Sequence, residues 1–227
     1  MSLHSVAVLG AVAVAALAAP TALVEAHQRV FLPDVVYTVA NRNTNWGPQA
    51  KLEKQGYKTT ADFNAYLKAN NYKTLREFMD KPGAYKPNSG ATFECGFTDP
   101  KAPAQPIPKD GAFRTSGYTH EGPCEIWIDD VRVKHGDNCH FDISETAFTD
   151  KIDYSACKGT CMLKWYWLGI RPTGKSYSWQ IYKACIPLSA NGGGAAAAPN
   201  TTTAAPAVAE KPVAGEASSK GCRRLLD

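Results

Sequence analysis

Four stretches follow from the alternation of apolar and polar residues. Val6 to Ala18 is an unbroken run of Val, Leu, Ala and Gly, closed by Pro20 and small residues. Residues 57–80 carry the spacing of two short helices. Tyr57-Lys58-Thr59 and Tyr72-Lys73-Thr74 open two similar half-repeats, each with a Phe four residues after its Thr (Phe63, Phe78). Thr60 is the expected cap of the first helix, whose apolar face would be Phe63, Tyr66 and Leu67. Thr74-Leu75-Arg76-Glu77 is a capping-box pattern for the second, and Lys81-Pro82-Gly83 stops it. After Phe93 the period shortens to two. Cys124 to Asp129 alternates, with Cys124, Ile126 and Ile128 on one face. Met162 to Ile170 is a Trp- and Tyr-rich run, and Tyr177 to Ile186 alternates again beyond a turn at Pro172-Thr173-Gly174. Short strands separated by turn residues predict a mainly β chain, an antiparallel β-sandwich with a short helical insertion. From Asn191 onward almost nothing apolar exceeds Val until Leu225. A segment so poor in buriable surface cannot offset its ordering entropy.

These boundaries give three regions: a targeting segment (1–26), one folded domain (27–190) and a flexible Ala/Pro/Thr-rich tail (191–227). Val6–Ala18 with its small-residue flank reads as a secretory signal, although the segment before it has no Lys or Arg. A membrane anchor is the alternative. Pro20, Thr21 and Glu25 cut the run short of the roughly 20 residues a spanning helix needs. Two cut positions are open. Ala16-Leu17-Ala18 is one; it would leave Ala19-Pro20 at the new terminus, and proline beside a cut is unfavourable. Val24-Glu25-Ala26 is preferred, and it makes His27 the first residue of the mature chain. The tail holds a sequon, Asn200-Thr201-Thr202, and a Thr/Pro/Ala mix suited to O-glycosylation. It lacks the closing apolar stretch of a GPI signal.

Composition narrows the partners. The chain has 25 Lys and Arg against 21 Asp and Glu; removal of residues 1–26 takes away only Glu25, leaving 25 against 20, or +5. That is a mild bias towards anionic partners. No basic run interleaved with aromatics and no phosphate loop is present, so neither nucleic acid nor a membrane is an expected partner. All seven cysteines follow residue 26: Cys95, Cys124, Cys139, Cys157, Cys161, Cys185 and Cys222. In an oxidising compartment the first six form three bridges among fifteen possible connectivities, with Cys222 left over. The rival is a zinc site of Cys139, His140, Cys157 and Cys161.

The candidate chemistry starts at His27. A free terminal histidine offers a metal two nitrogens, its α-amine and its ring. The amine titrates near 7.7–8.0, so a metal displaces its proton near neutral pH. A second imidazole completes three nitrogens in a T, and such a tetragonal site selects Cu(II). His120 is the first candidate, in Tyr118-Thr119-His120-Glu121-Gly122-Pro123-Cys124, where the chain turns at Gly-Pro into a strand; the alternative is a loop histidine making a hydrogen bond. His135 and His140 are the reserves. In Ser178-Trp179-Gln180-Ile181-Tyr182-Lys183-Ala184-Cys185, strand alternation puts Gln180 and Tyr182 on one face. The phenol suits an axial position, and the amide suits donation beside the metal's open position. The plain alternatives are a structural tyrosine and an exposed strand glutamine.

A terminal His, a His-x-Gly-Pro turn into a strand and a late Gln-x-Tyr strand together resemble a lytic polysaccharide monooxygenase, over the domain from His27 to Cys185. The helical insertion, the His120–Asp129 stretch and the Thr/Pro/Ala tail are most similar to the oomycete group, auxiliary activity family 17. The resemblance implies an immunoglobulin/fibronectin III-like sandwich holding one mononuclear copper ion in a histidine brace. His27 (amine and ring) and His120 would be equatorial ligands, Tyr182 axial and Gln180 the catalytic group beside the metal. It also implies a secreted, monomeric enzyme that takes electrons from an external donor and uses O2 or H2O2 to oxidise a C–H beside a glycosidic bond. The substrate would be a polysaccharide, pectin homogalacturonan ahead of cellulose or chitin, in the setting of plant infection. The acid and nucleophile of a glycosidase are then not needed from Asp129 and Asp130. Two other classes stand beside it: a secreted brace protein that binds copper without oxidising polysaccharide, and a metal-free carbohydrate-binding or effector module.

Overall fold

A computed structural model describes residues 28–142 and 149–192. The expected leader, His27, the sequon, Cys222 and the tail beyond Gly192 lie outside those residues. The elements, in order, are β1 (Val30–Leu32), α1 (Arg42–Asn45), β2 (Ala50–Gln55), α2 (Thr60–Ala69), α3 (Leu75–Met79), β3 (Gln105–Pro106), β4 (Ala112–Thr115), β5 (Cys124–Ile128), β6 (Val131–Gly136), α4 (Cys139–Asp142), β7 (Thr149–Lys151), β8 (Thr160–Thr173) and β9 (Ser176–Ser189). The order in the larger sheet is β2-β9-β8-β5-β6, antiparallel throughout, with β3 added parallel to β9. The smaller sheet is β1-β4-β7. The two pack as the expected β-sandwich, with Val30 and Phe113 of the small sheet meeting Ile126, Leu163, Trp165 and Ile186 of the large one.

The helical pair makes a third layer. Its apolar face is the one read from the sequence: Phe63 and Phe78 are buried, and Tyr66 and Leu67 pack around them against Trp179 on the outer face of the large sheet. The half-repeats hold at the level of caps. Thr59 and Thr74 each accept a backbone N–H three residues on, while Asp62 and Glu77 reach back to the N–H of Lys58 and Lys73. The first cap is Thr59 rather than Thr60, because Thr59 keeps extended backbone and its hydroxyl meets Asp62 N–H. The turn between the last two strands is also tighter than expected. Thr173 and Ser176 still pair, so only Gly174 and Lys175 form the loop, with Gly174 at φ +67°.

The helices alter the reading of β5. Alternation predicts one buried face; the structure buries Glu125 as well as Cys124, Ile126 and Ile128. Glu125 escapes the cost of a buried charge by accepting four bonds: from Leu75 N–H and Arg76 N–H at the start of α3, from Trp127 Nε1 and from Arg132. Asp129 and Asp130 belong to the β5–β6 turn: Asp129 takes Met162 N–H, and Asp130 pairs with Arg76.

A second buried charge ties the helices to β9. Lys183 donates to Met79 O, Phe93 O and the Asp80 carboxylate, with the rings of Tyr166, Phe93 and Tyr85 around it. Burial pushes its pKa down, opposed by Asp80. Lys183→Met keeps the stem but leaves Asp80 with only Tyr166 Oη and Arg76. Because Asp80 is still partly wetted, the expected loss is about 2–3 kcal/mol, below the usual range for a broken buried pair. Urea unfolding at neutral pH measures it.

Three disulfides close the described cysteines: Cys95–Cys185, Cys124–Cys139 and Cys157–Cys161. The zinc alternative is thereby removed. Its three cysteines are divided between two bridges, and no thiolate remains among them to bind metal. The bridges fit an oxidising compartment. Among the described residues no helix is long and apolar enough to cross a membrane.

Candidate metal centre

Tyr182 and Gln180 lie on the inner face of β9, as alternation requires, and their side chains meet: Tyr182 Oη donates to Gln180 Oε1 at 3.1 Å. That bond turns the carbonyl end of the amide towards the phenol and leaves the NH2 as the donor end. Neither residue lies on an open strand face. Both are buried, Tyr182 at 2% exposure and Gln180 at 3%, under loops that the strand pattern alone does not announce.

Across the sheet, Tyr182 pairs with Trp167 of β8 and the two rings stack at 4.6 Å. Gln180 pairs with Gly169. A side chain at Gly169 would meet the Trp167 ring at 3.1 Å and lie 3.6 Å from His120 Cβ. The missing Cβ thus leaves room chiefly for the Trp167 ring, while the His120 loop lies at ordinary contact distance. His120 in turn stacks on the other neighbour of Tyr182, its ring 6.4 Å from that of Trp167 and tilted by 21°. Two sequence-predicted residues, His120 and Tyr182, therefore share one indole, and the third, Gln180, is bonded to Tyr182.

The turn that delivers His120 is held by backbone. Ile170 N–H donates to Glu121 O and Leu168 N–H to Pro123 O, so residues 121–123 run along β8 as a short edge. Cys139 N–H binds Gly122 O, and Asn138 binds both Gly122 N–H and the Glu121 carboxylate. With the Cys124–Cys139 bridge, this fixes the loop from both sides.

The His120 ring is half-buried, and its Nε2 is fully buried with no hydrogen-bond partner among the described residues. Burial lowers its pKa from the usual 6.5 to about 4, with smaller contributions from Arg171 and His140. At neutral pH it is therefore an uncharged imidazole with a buried nitrogen that meets no donor among the described residues, which is the state a metal ligand needs. His140, one of the reserves, is close by; its Nδ1 is 2.6 Å from Tyr118 O. His135 is exposed on β6 and paired across from Glu125, on the far side of the Cys124 hairpin.

His27 lies outside the described residues, but its neighbour does not. Gln28 is buried at 4% exposure and is held on three sides. Its N–H donates to Trp46 O, its Oε1 accepts from Ser116, and its Nε2 donates to Thr119 Oγ1 at 3.2 Å. The residue after position 27 is thus bonded to the residue before His120, across 91 positions of sequence. Gln28 and Tyr182 also line one small polar cavity of ≈ 20 Å3, with Tyr37, Asn45 and Gln49. Sequence reading missed Gln28, Thr119, Trp167 and Gly169. Only Gly169 carried a signal, as a glycine inside a strand pattern.

No protein-family model matches the chain, and no curated protein matches it.

Proposed function

We propose that the chain is a secreted copper-dependent oxidase of polysaccharides, with His27 and His120 as the nitrogen ligands. The observation that carries this reading is the buried Nε2 of an uncharged His120, without a hydrogen-bond partner among the described residues, which shares Trp167 with the Tyr182–Gln180 pair, at the point where Gln28 anchors the start of the domain. The donor set suits one copper ion: two imidazoles and an amine, with a phenol near. Bound copper would supply the activation of O2 or H2O2, after reduction by an external donor, for attack on a C–H beside a glycosidic bond.

The rest falls to the protein. Trp167 packs against the rings of both His120 and Tyr182, which ties the two residues to one support. Gln180, its carbonyl occupied by Tyr182, presents N–H to whatever oxygen atom approaches the site. The Gln28–Thr119 bond sets the chain start and the His120 loop in one frame, which is the kind of outer support that metal sites depend on. Following the resemblance to auxiliary activity family 17, the proposed substrate is pectin homogalacturonan.

The deciding comparison is between secreted chain that begins at His27 and the same chain with one glycine ahead of it. The native terminus is expected to give a tetragonal, nitrogen-rich Cu(II) EPR spectrum and to release oxidised oligogalacturonides only with reductant. The extended chain should do neither. Equal spectra from both would sink the reading, and a copper spectrum with no oxidised product would favour the brace protein without polysaccharide oxidation. Gln180→Ala should keep the copper and lose about a hundredfold or more in oxidation rate, the scale of one positioned donor.

A further inference from the structure

A ladder of arginines and aromatic rings begins at the residue after Gln28. The Arg29 guanidinium lies over the Phe31 ring at 4.3 Å and over the Trp46 ring at 4.7 Å. Arg42 covers Trp46 at 3.9 Å, and Arg114 reaches Phe31 at 5.7 Å. In order the surface reads Arg42, Trp46, Arg29, Phe31, Arg114, with one ring between successive cations. Three separate pieces of chain supply it: α1 with its C-cap Trp46, β1 with the residue before it, and β4. Arg114 pairs with Leu32 beyond an irregularity in the β1–β4 register that leaves Phe31 without a partner in the ladder.

Three like charges in a row repel. Among the described residues none of the three guanidiniums is in an ion pair, whereas Arg76, Arg132, Lys134 and Lys183 each have a carboxylate. Stacking holds a guanidinium by its faces and leaves its N–H edges free, and those edges match a carboxylate in a two-point fork. Arg42 and Arg114 are exposed, while Arg29 and the two rings are half-buried.

We propose that this ladder is the docking rail for an acidic polysaccharide, a polymer whose sugars carry carboxylates at regular intervals, and that it sets the requirement for charge in the substrate. It rests on the reading above for its place beside a catalytic site: Gln28, next to Arg29, is bonded to Trp46 and to Thr119. The carboxylates take the guanidinium edges of the exposed Arg42 and Arg114, while Trp46 and Phe31, their faces already covered by cations, hold the arginines in place. A single-stranded nucleic acid, with phosphates for the cations, is the competing occupant. The three disulfides fit an oxidising compartment outside the cytosol and nucleus, away from the bulk of a cell's nucleic acid, which favours the polysaccharide.

The test uses full-length secreted chain, stripped of metal, so that binding is read without turnover. Sodium polygalacturonate, fully methyl-esterified polygalacturonate, cellulose and oligo-dT are titrated by calorimetry at two salt concentrations. Polygalacturonate is expected to bind, to weaken with salt and to be preferred over the other three. Arg42→Glu with Arg114→Glu should lower that affinity by about a hundredfold, a factor of ten for each charged bond lost. The Cu(II) EPR spectrum of the reloaded protein should stay unchanged, since both arginines are exposed and neither reaches His120. Unchanged affinity in the double variant, equal binding of the esterified polymer, or tighter binding of oligo-dT would each overturn the proposal. Copper loading is scored separately, so the rail can fail with the metal reading intact, and the metal reading can fail with the rail intact.

Discussion

His120→Ala is expected to lose tight copper binding while the fold survives. Changes in groups that merely support a metal ligand cost 10–100-fold in affinity, so removal of a ligand itself should cost at least about a hundredfold. The loss has a readout independent of catalysis. Copper at a hundredfold excess over its dissociation constant adds about 2.7 kcal/mol to the stability of a protein that binds only when folded. Wild type should show that gain in a denaturant titration, and His120→Ala should not. The variant removes a half-buried ring stacked on Trp167 and no hydrogen bond from Nε2, so the metal-free protein should lose little stability. His135→Ala serves as the control, because that ring is exposed on β6. The informative rival is His140, whose ring sits near His120 and binds Tyr118 O. If His140→Ala abolishes the copper-dependent gain and His120→Ala retains it, the ligand assignment moves to His140.

What was legible in the sequence, and what was not, divides along a physical line. Periods of two and 3.6 report which face of an element is buried, and they were reliable here. They located the strands at 124–128, 162–170 and 177–186, the paired helices, and the shared face of Gln180 and Tyr182. They could not report that both faces of the large sheet are covered, because that depends on where the helices dock. The buried Glu125 is the consequence: in a strand pattern it reads as a solvent-facing position, and in the structure it takes four donors. The same limit hid the supports of the site. Gln28 and Thr119 are 91 residues apart, and two ordinary polar residues at that separation show no local pattern. Trp167 was read as one aromatic in a buried run, yet its ring is the contact common to His120 and Tyr182. Disulfide pairing was equally closed to inspection, since cysteine spacing alone cannot choose among connectivities. Once Cys124 was seen to join Cys139, the loop between them became part of the scaffold for His120.

Gly122→Ala should be the most damaging single substitution near the site. The Gly-Pro pair reads from sequence as an ordinary turn, but the structural demand is more severe. Gly122 has φ +148°, a backbone conformation that side chains rarely adopt, and a Cβ placed there would lie 1.7 Å from Leu168 O. The obstruction is backbone, so no rotamer change relieves it. Leu168 O cannot retreat without moving β8 between Trp167 and Gly169, whose partners across the sheet are Tyr182 and Gln180. The loop cannot lift without breaking the bonds that Ile170 and Leu168 N–H make to Glu121 and Pro123, together with the Cys139 bond to Gly122 O. Conformational strain of 1–3 kcal/mol for the dihedral alone adds to the cost of that displacement, giving an expected loss of about 4 kcal/mol or more, in the range reserved for overpacking at a special backbone position. Chemical unfolding measures that cost. A second readout separates local from global damage: if the loop rather than the sheet yields, His120 moves off Trp167, and the protein that remains folded should bind copper about tenfold or more weakly, as outer-support variants do. Gly159→Ala is the matched control, a glycine with the same φ of +148° and open space around it, which should cost only the strain and leave copper binding alone. Equal stability losses in the two variants would show that the dihedral, not the close approach of the His120 turn to β8, is what Gly122 provides.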